Sequence, residues 1–372
     1  MSFRLCAPVL LGLEGICADE LRRMDFQNVA AENGRVLFDG DYRDALRANL
    51  WLRTAERVQI LIGEFPAATF DQLFEGVRAL PLESVIDRLG AFPVKGHSTR
   101  SKLTSIPDCQ RIIKKAAAVR LGSVYGCETM PETGAKYQLS FHILNDRCSL
   151  YIDTTGDSLH KRGYRADSLA APIRETLAAA MVFLSHRRGD RPLCDPLCGS
   201  GTILIEAALL AANRAPGLNR QFALEGFAGA DESDGVQLRE EARSLIRPFE
   251  GEITGSDMDS DAIGLARANA EKAGVGAQIR FAKAELSAAR LPDSGIIITN
   301  PPYGERLGDV AQARAVYESL GRRVAEKRLG AYVISPDEQF EKYFGRQADK
   351  KRKLYNGMMK CNVFMFRPGQ RD

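Results

Sequence analysis

The chain has a single tryptophan and only four histidines, His97, His142, His160 and His186, spread along its length. Imidazoles so dispersed do not suggest a metal site. The eight cysteines form no paired framework. Cys194 and Cys198 have three residues between them, and no second pair follows at zinc-finger spacing. No metal is expected, and the cysteines read as reduced, mostly buried thiols of a cytoplasmic protein. No apolar run is long enough to span a membrane. The short run between Met1 and Cys17 contains Glu14 and lacks a cleavage signature, so it reads as a strand entering a helix rather than a signal peptide. Net charge is small too, at +3, so nucleic-acid contact would have to come from local basic patches. There is no internal repeat and no low-complexity tract. At 372 residues, with 45% hydrophobic and 27% charged residues, the chain reads as a soluble globular protein of two or three domains.

The most informative stretch is Ile296-Ile297-Ile298-Thr299-Asn300-Pro301-Pro302-Tyr303-Gly304. The β-branched run predicts a buried strand, and the proline pair ends it. Pro301 holds Asn300 extended and has no N–H. The result is a stiff loop at a strand's C-terminal end, with one amide side chain, backbone carbonyls and one aromatic face. That set suits a planar base with an exocyclic amine. Such a nitrogen is a poor nucleophile, because its lone pair is delocalised into the ring. The Asn300 amide oxygen and the Pro301 carbonyl can accept its two hydrogens and stabilise the charge that develops as it attacks. Tyr303 can stack on the ring. A plain strand and proline turn would carry the same residues, so a second motif is needed.

That motif is Asp195-Pro196-Leu197-Cys198-Gly199-Ser200-Gly201-Thr202, which joins a strand to a helix. Gly199 and Gly201 allow a tight turn and close approach of a ligand. A phosphate-binding P-loop needs a Gly-Lys-Ser/Thr that is missing here. A dinucleotide loop needs a third glycine at Leu204. The third reading is S-adenosylmethionine, a sulfonium cation without phosphate. Acids at the same sheet edge favour it: Asp195, Asp257 in Gly255-Ser256-Asp257-Met258-Asp259, and Glu285 in Ala282-Lys283-Ala284-Glu285. Carboxylates suit a cationic amino acid, ribose hydroxyls and an adenine amine, and would repel a pyrophosphate. Asp257 is expected to hold the ribose and Glu285 to accept from the adenine N6.

Residues 1–64 read as a small α/β unit, with strands at Phe3–Leu11 and Gly34–Phe38 and helices at Glu14–Met24 and Tyr42–Leu52. Trp51 is expected in its core. Residues 65–165 read as a second unit, with helices at Phe70–Leu80 and Cys109–Leu121 and a hairpin turning at Asn145-Asp146. Its basic run Lys95, Arg100, Lys102, Arg111, Lys114, Lys115 and Arg120 contains one acid, Asp108. It spans a loop and the helix after it, and is expected to meet an RNA backbone. Leu159–Arg165 reads as a linker, and Pro172 as the start of a helix to His186. From about 190 the pattern alternates strand and helix, which predicts a parallel sheet covered on both faces. Strands are expected near 192–195, 252–257, 278–282, 294–299 and 329–335, helices at 201–213, 260–272 and 311–327, and a closing hairpin over 354–366. Residues 214–250 interrupt this as an insertion.

Asp195–Thr202 together with Asn300-Pro301-Pro302-Tyr303-Gly304-Glu305-Arg306 resembles the Rossmann-fold methyltransferases that modify exocyclic amines. Ala171–Ala179 and Leu159–Arg165 resemble that family's domain junction. The closer similarity, over essentially the whole chain, is to members with a THUMP RNA-binding domain. The resemblance implies an α/β architecture in three parts: a ferredoxin-like unit at 1–64, THUMP at 65–165, and at 166–372 a methyltransferase domain on a seven-stranded, mostly parallel sheet. It implies N2-methylation of guanine in RNA, most similar to the bacterial 23S rRNA guanine-N2 methyltransferases. Glu285 stands where that family commonly has Asp. Asn300, Pro301, Pro302 and Tyr303 would be catalytic. Asp195, Gly199, Ser200, Gly201, Thr202, Asp257, Glu285 and Asn300 would bind the cofactor. Arg306, or Lys350-Lys351-Arg352-Lys353, would bind flanking phosphates, although the latter run also fits a solvated surface turn. A tRNA guanine or an N6-adenine target remains open, because the loop does not say which base enters. An RNA-binding protein without catalysis and a nicotinamide-dependent dehydrogenase are the readings from other classes. The intact Asn300 loop counts against the first, and Leu204 with the acidic edge against the second.

Overall fold

The computed structural model describes residues 2–165, 173–187, 189–304, 309–357 and 359–368. The chain opens with β1 (Phe3–Pro8), α1 (Glu14–Arg23), β2 (Gln27–Glu32), β3 (Arg35–Gly40) and α2 (Tyr42–Trp51). Asp41 caps α2, accepting from the Asp44 N–H at 2.9 Å, while the Asp44 carboxylate accepts from the Asp41 N–H at 3.3 Å. Next come β4 (Gln59–Pro66), α3 (Phe70–Ala79), β5 (Val94–Thr99), α4 (Ile106–Tyr125), β6 (Leu139–Leu144) and β7 (Arg147–Asp153). Asn145 and Asp146 both have positive φ, at 49° and 61°, as a two-residue hairpin turn requires.

All seven strands make one sheet, in the order β2-β3-β1-β4-β7-β6-β5. β4 is the shared member, pairing with β1 on one side and β7 on the other. The division expected between residues 64 and 65 therefore falls within a strand. Three strands differ from the sequence reading, and one of them, β4, stands at the expected boundary between the first two units. β2 is absent from it, because Gln27–Glu32 has one β-branched residue and lies at an edge. β5, expected as loop, is the opposite edge and pairs parallel to β6. Its polar Lys-Gly-His-Ser-Thr sequence is tolerated because, among the described residues, one side has no neighbouring strand. Trp51 is half-buried and packs against the core rather than inside it.

The second half contains α5 (Glu175–Leu184), β8 (Leu193–Asp195), α6 (Thr202–Ala211), α7 (Asp234–Ser244), β9 (Ile253–Asp257), α8 (Ser260–Ala273), β10 (Ile279–Lys283) and β11 (Ile296–Thr299). It ends with α9 (Asp309–Lys327), β12 (Gly330–Ser335), α10 (Phe340–Phe344), β13 (Lys350–Asn356) and β14 (Met359–Phe366). The sheet order is β10-β9-β8-β11-β12-β14-β13, parallel from β10 to β12, with β14 antiparallel to β12 and to β13. β11 is buried on both faces, as its apolar run predicts. Ile296 and Ile298 join the apolar cluster that extends into the first half, and Ile297 the one under α9 and α10.

Among the described residues α5 begins at Glu175; the expected start at Pro172 lies outside them. The basic run Lys350–Lys353 is strand, not a turn. Lys351 pairs with Glu341 at 2.7 Å, and the Arg352 guanidinium donates to the Gly12 carbonyl at 3.0 and 2.8 Å. The 214–250 segment straps the two halves together. Gly217 N–H donates to Leu50 O at 3.0 Å and Leu224 N–H to Thr154 O at 3.0 Å, and Arg43 pairs with Asp234 and Glu241 of α7.

Candidate active site

Adjacent parallel strands β10, β9, β8 and β11 bring their C-terminal ends to one sheet edge. That edge carries Glu285, Asp257, Asp195 and Asn300 in spatial order. After β8, Leu197 N–H folds back to Asp195 Oδ1 at 3.1 Å, and Cys198 N–H donates to Ser256 O at 3.0 Å. Gly199 and Gly201 both have positive φ, at 50° and 78°. A Cβ on Gly201 would lie 3.1 Å from both Ala266 and Phe281, so conformation and space each call for glycine. Asn269 of α8 holds the turn from outside, donating to Ser200 O at 3.2 Å.

Asp257 links the two loops of this edge. One carboxylate oxygen accepts from Gly199 N–H at 2.9 Å and the other from Asp259 N–H at 3.0 Å. Each oxygen keeps a second lone pair for a ligand hydroxyl. Asp195 is almost fully buried. Burial pushes its carboxyl up to about 7, opposed by the Thr299 hydroxyl and the Leu197 N–H, with the Asp257 charge adding to the rise. Ser200 and Thr202 are buried at the start of α6, where the Thr202 hydroxyl accepts from Arg165 at 2.9 Å. Glu285 is exposed at the end of the row.

At β11 the chain leaves the sheet through Asn300, with Pro301 buried and Pro302 exposed. The Tyr303 hydroxyl donates to Asn300 Oδ1. Burial pushes this phenol well above its ordinary range, and Asn356 of β13 and Cys361 of β14 reach the same hydroxyl. Tyr317 of α9 donates to the Pro302 carbonyl at 3.1 Å. The loop is thus bonded to α9 on one side and lies beside the closing hairpin on the other. Burial also pushes the Cys198 thiol far up, which removes it as a nucleophile at neutral pH.

The basic residues divide into two groups. Arg111 pairs with Asp108 and Arg120 with Glu83. Lys114 pairs with Glu132 at 2.5 Å and sits 3.5 Å above the Phe92 ring. Lys114 and Arg120 help hold the second unit together, a role the sequence did not suggest for Lys114, whereas the Arg111–Asp108 pair lies within one turn of α4 and leaves Arg111 exposed. Lys95, Arg100, Lys102 and Lys115 are exposed along β5, the segment after it and α4. Arg306 lies outside the described residues. The sequence reading also passed over Arg165, Tyr317, Asn356 and Cys361. Arg165 closes the Leu159–Arg165 junction segment, and its contact with Thr202 gives it a place at the site. Met258, between Asp257 and Asp259, is 68% exposed at the same edge. A bare methionine beside two acids is a signal that was available in the sequence.

The donor set fits S-adenosylmethionine. Carboxylates at the sheet edge suit a cationic ligand, and the glycine turn leaves space that a side chain would fill. Residues 162–364 match the family described as RMKL-like, methyltransferase domain; residues 4–59 match the RlmL ferredoxin-like domain and 67–153 the THUMP domain. The chain is 41% identical over 372 residues to "Putative RNA methyltransferase YpsC" of Bacillus subtilis, covering 98% of this chain and 96% of that one. It is 38% identical to "Ribosomal RNA large subunit methyltransferase K/L" of Syntrophotalea carbinolica, covering 95% of this chain and 52% of that one. It thus spans about half the length of such K/L relatives. The crystal structure of "SMU.472, a putative methyltransferase complexed with SAH" superposes with a TM-score of 0.94 at 39% identity, covering 100% of this chain and 99% of that one.

Proposed function

The chain belongs to the RMKL-like methyltransferase family, and from that premise we propose that it methylates the exocyclic N2 of a guanine in RNA, within large-subunit rRNA. Its cofactor is S-adenosylmethionine. We propose Asp195, Gly199, Ser200, Gly201, Thr202, Asp257 and Glu285 as the residues that hold it. The observation that carries the reading is the Asn300–Tyr303 loop at the end of β11, beside the acidic edge, in a chain with a THUMP domain. A separate basic α/β module suits a folded RNA held away from a flipped base. The choice of rRNA follows the K/L relatives' name, and the choice of guanine follows the family resemblance.

The bound cofactor supplies an electrophilic methyl group on a sulfonium. The chain's own part is positioning and charge stabilisation. Asn300 Oδ1 and the Pro301 carbonyl accept the two N2 hydrogens, which turns the amine lone pair toward the methyl. As the nitrogen becomes positive these acceptors strengthen their hold, so they act mainly in the transition state. Transfer would leave the sulfur as the neutral thioether of S-adenosylhomocysteine, and the methylated nitrogen would lose one proton to solvent. Tyr303 covers the base, and the Asp195 carboxylate meets the ammonium of the methionine part.

The test is incubation with labelled S-adenosylmethionine and undermethylated rRNA, tRNA or DNA, followed by digestion to nucleosides. The expected product is N2-methylguanosine from rRNA. Label in N6-methyladenine, or in DNA alone, overturns the assignment. Label in tRNA N2-methylguanosine keeps the chemistry and changes the substrate.

A further inference from the structure

Helix α6 begins where the Gly199–Gly201 turn ends, so its placement determines where that turn lies. One stripe of the helix, Thr202, Glu206 and Leu209, at i, i+4 and i+7, faces three arginines from outside the second sheet. Arg165 donates to the Thr202 hydroxyl at 2.9 Å. Arg162 Nε approaches Glu206 Oε1 at 3.4 Å, and the Tyr164 hydroxyl donates to the same oxygen at 3.1 Å. Arg53 Nη2 donates to the Leu209 carbonyl at 3.4 Å and to the Arg214 carbonyl at 2.8 Å, just past the helix end. The helix is therefore held at its start, middle and end.

These arginines belong to the other half of the molecule or to the segment joining the halves. Arg53 lies between α2 and β4, and its own N–H donates to Glu20 of α1 at 2.8 Å. Arg162 and Arg165 follow β7. Arg162 locks onto Arg53, donating to its carbonyl at 2.5 Å and to the Leu159 carbonyl at 2.7 Å. Arg53, Arg162, Tyr164 and Glu206 are all less than 5% exposed. The cavity lined by Arg162, Tyr164, Leu209 and Arg214 is about 10 Å³, too small for any ligand larger than a water. This is a polar joint, not a binding site.

Burying several charges is a poor way to gain stability, because desolvation offsets most of the attraction. What it does supply is geometry. Three directional contacts along one stripe fix both the rotation and the axial position of a helix. On the opposite side of α6, Leu204 packs where a Cβ on Gly255 of β9 would otherwise sit, so a small shift would press on the sheet edge. We infer that Arg53, Arg162 and Arg165 are positioning residues through which the N-terminal half sets α6, and with it the Gly199–Thr202 turn, for cofactor binding. This goes beyond the substrate proposal and does not depend on which base or which RNA is methylated.

The test measures S-adenosylhomocysteine binding to the full chain by calorimetry. Arg53→Met, and the paired change Arg162→Met with Glu206→Leu, should each weaken binding at least tenfold at temperatures well below their melting points. The paired change removes one charge of each sign, and Arg53 keeps Glu20 as its neighbouring carboxylate. Arg53→Lys, which keeps the cation but reaches one carbonyl, should recover a good part of the loss. A merely structural role predicts a lower melting temperature with an unchanged dissociation constant, and that result overturns the inference. If the variants do not fold, hydrogen exchange on the wild-type chain decides. S-adenosylhomocysteine should slow exchange at Arg53–Ala55 and Leu159–Tyr164, since coupling is reciprocal; unchanged exchange there overturns it.

Discussion

The Tyr303 hydroxyl donates its hydrogen bond to the side-chain oxygen of Asn300, three residues earlier in the same loop. The ring placed to cover a base thus also aims the amide proposed to receive the base's amine. An amide oxygen has two lone pairs, so one can stay with Tyr303 while the other takes the incoming hydrogen.

Asn300→Ala should abolish transfer, with a fall in turnover of about a hundredfold or more, by analogy with removing one oxyanion-hole donor. Cofactor affinity should change little. Tyr303→Phe keeps the ring and loses the hydroxyl, so turnover should fall by the roughly two- to tenfold that a hydrogen bond of about 0.5–1.5 kcal/mol implies. Single-turnover assays separate these effects from binding, and wild-type turnover in Asn300→Ala would falsify the role given to this residue.

Asp195 should make cofactor binding depend on pH. Its folded carboxyl is raised to about 7. Between about pH 4 and 7 the unfolded chain holds it ionised while the folded chain keeps its proton. Its contribution to stability is therefore full below pH 4 and is lost as pH rises through 7, a change on the order of a few kcal/mol. An ammonium placed beside it favours the ionised form. Binding should tighten as pH rises toward 7 and should release a proton near pH 6. Calorimetry in two buffers of different ionisation enthalpy reads that proton directly. Asp195→Asn should remove the proton release, weaken binding and raise the apo melting temperature at pH 8. No proton release in the wild-type chain would separate Asp195 from the ammonium.

Asp257→Ala should weaken S-adenosylmethionine binding by more than the ribose contacts alone. Two charge-assisted bonds to hydroxyls account for about 1.5–3 kcal/mol each. The same carboxylate also holds the Gly199 N–H. Glu285→Gln, at an exposed position, should cost only a fewfold. An unchanged dissociation constant in a folded Asp257→Ala protein would take this residue out of the site.

Replacing Lys95, Arg100, Lys102 and Lys115 together with Ala should lower RNA affinity and flatten its salt dependence, by roughly 0.7–0.9 in the log–log slope for each phosphate no longer neutralised. Lys114→Ala should behave differently. Its partners are Glu132 and the Phe92 ring, so its removal should cost about 1 kcal/mol or less of stability and leave the slope alone. A filter-binding series from low to high salt distinguishes the two; equal slopes for wild type and the quadruple variant would show that the exposed group is only a solvated face.

The catalytic half was the more legible in sequence, for a local reason. Ile296–Ile298 must be strand because both faces are buried, and the Pro-Pro pair must end it. Gly199 and Gly201 mark a turn that only glycine fits comfortably. Each of these signals lies within about ten residues. What stayed hidden depends on distant partners. β2 and β5 are polar edge strands, and only their neighbours β3 and β6 make them strands. Lys114 looks like a free cation until Glu132 is seen beside it. Cys361 is an ordinary buried thiol in sequence, and Tyr303 gives it a place in the site only after β14 has crossed the sheet. The roles of Arg53 and Arg162 stay hidden because nothing nearby in the chain shows that Glu206 is buried opposite them.

β4 has a mechanical consequence for the N-terminal half. A strand that hydrogen-bonds on both sides acts as a beam, and a beam has no elbow. The two N-terminal units cannot open or close on each other without breaking the ladder between β4 and β7 or the short one between β1 and β4. They should melt in one transition and resist separation by proteolysis between residues 64 and 65. Whatever docks along β5 and α4 meets a stiff gauge built across both N-terminal units.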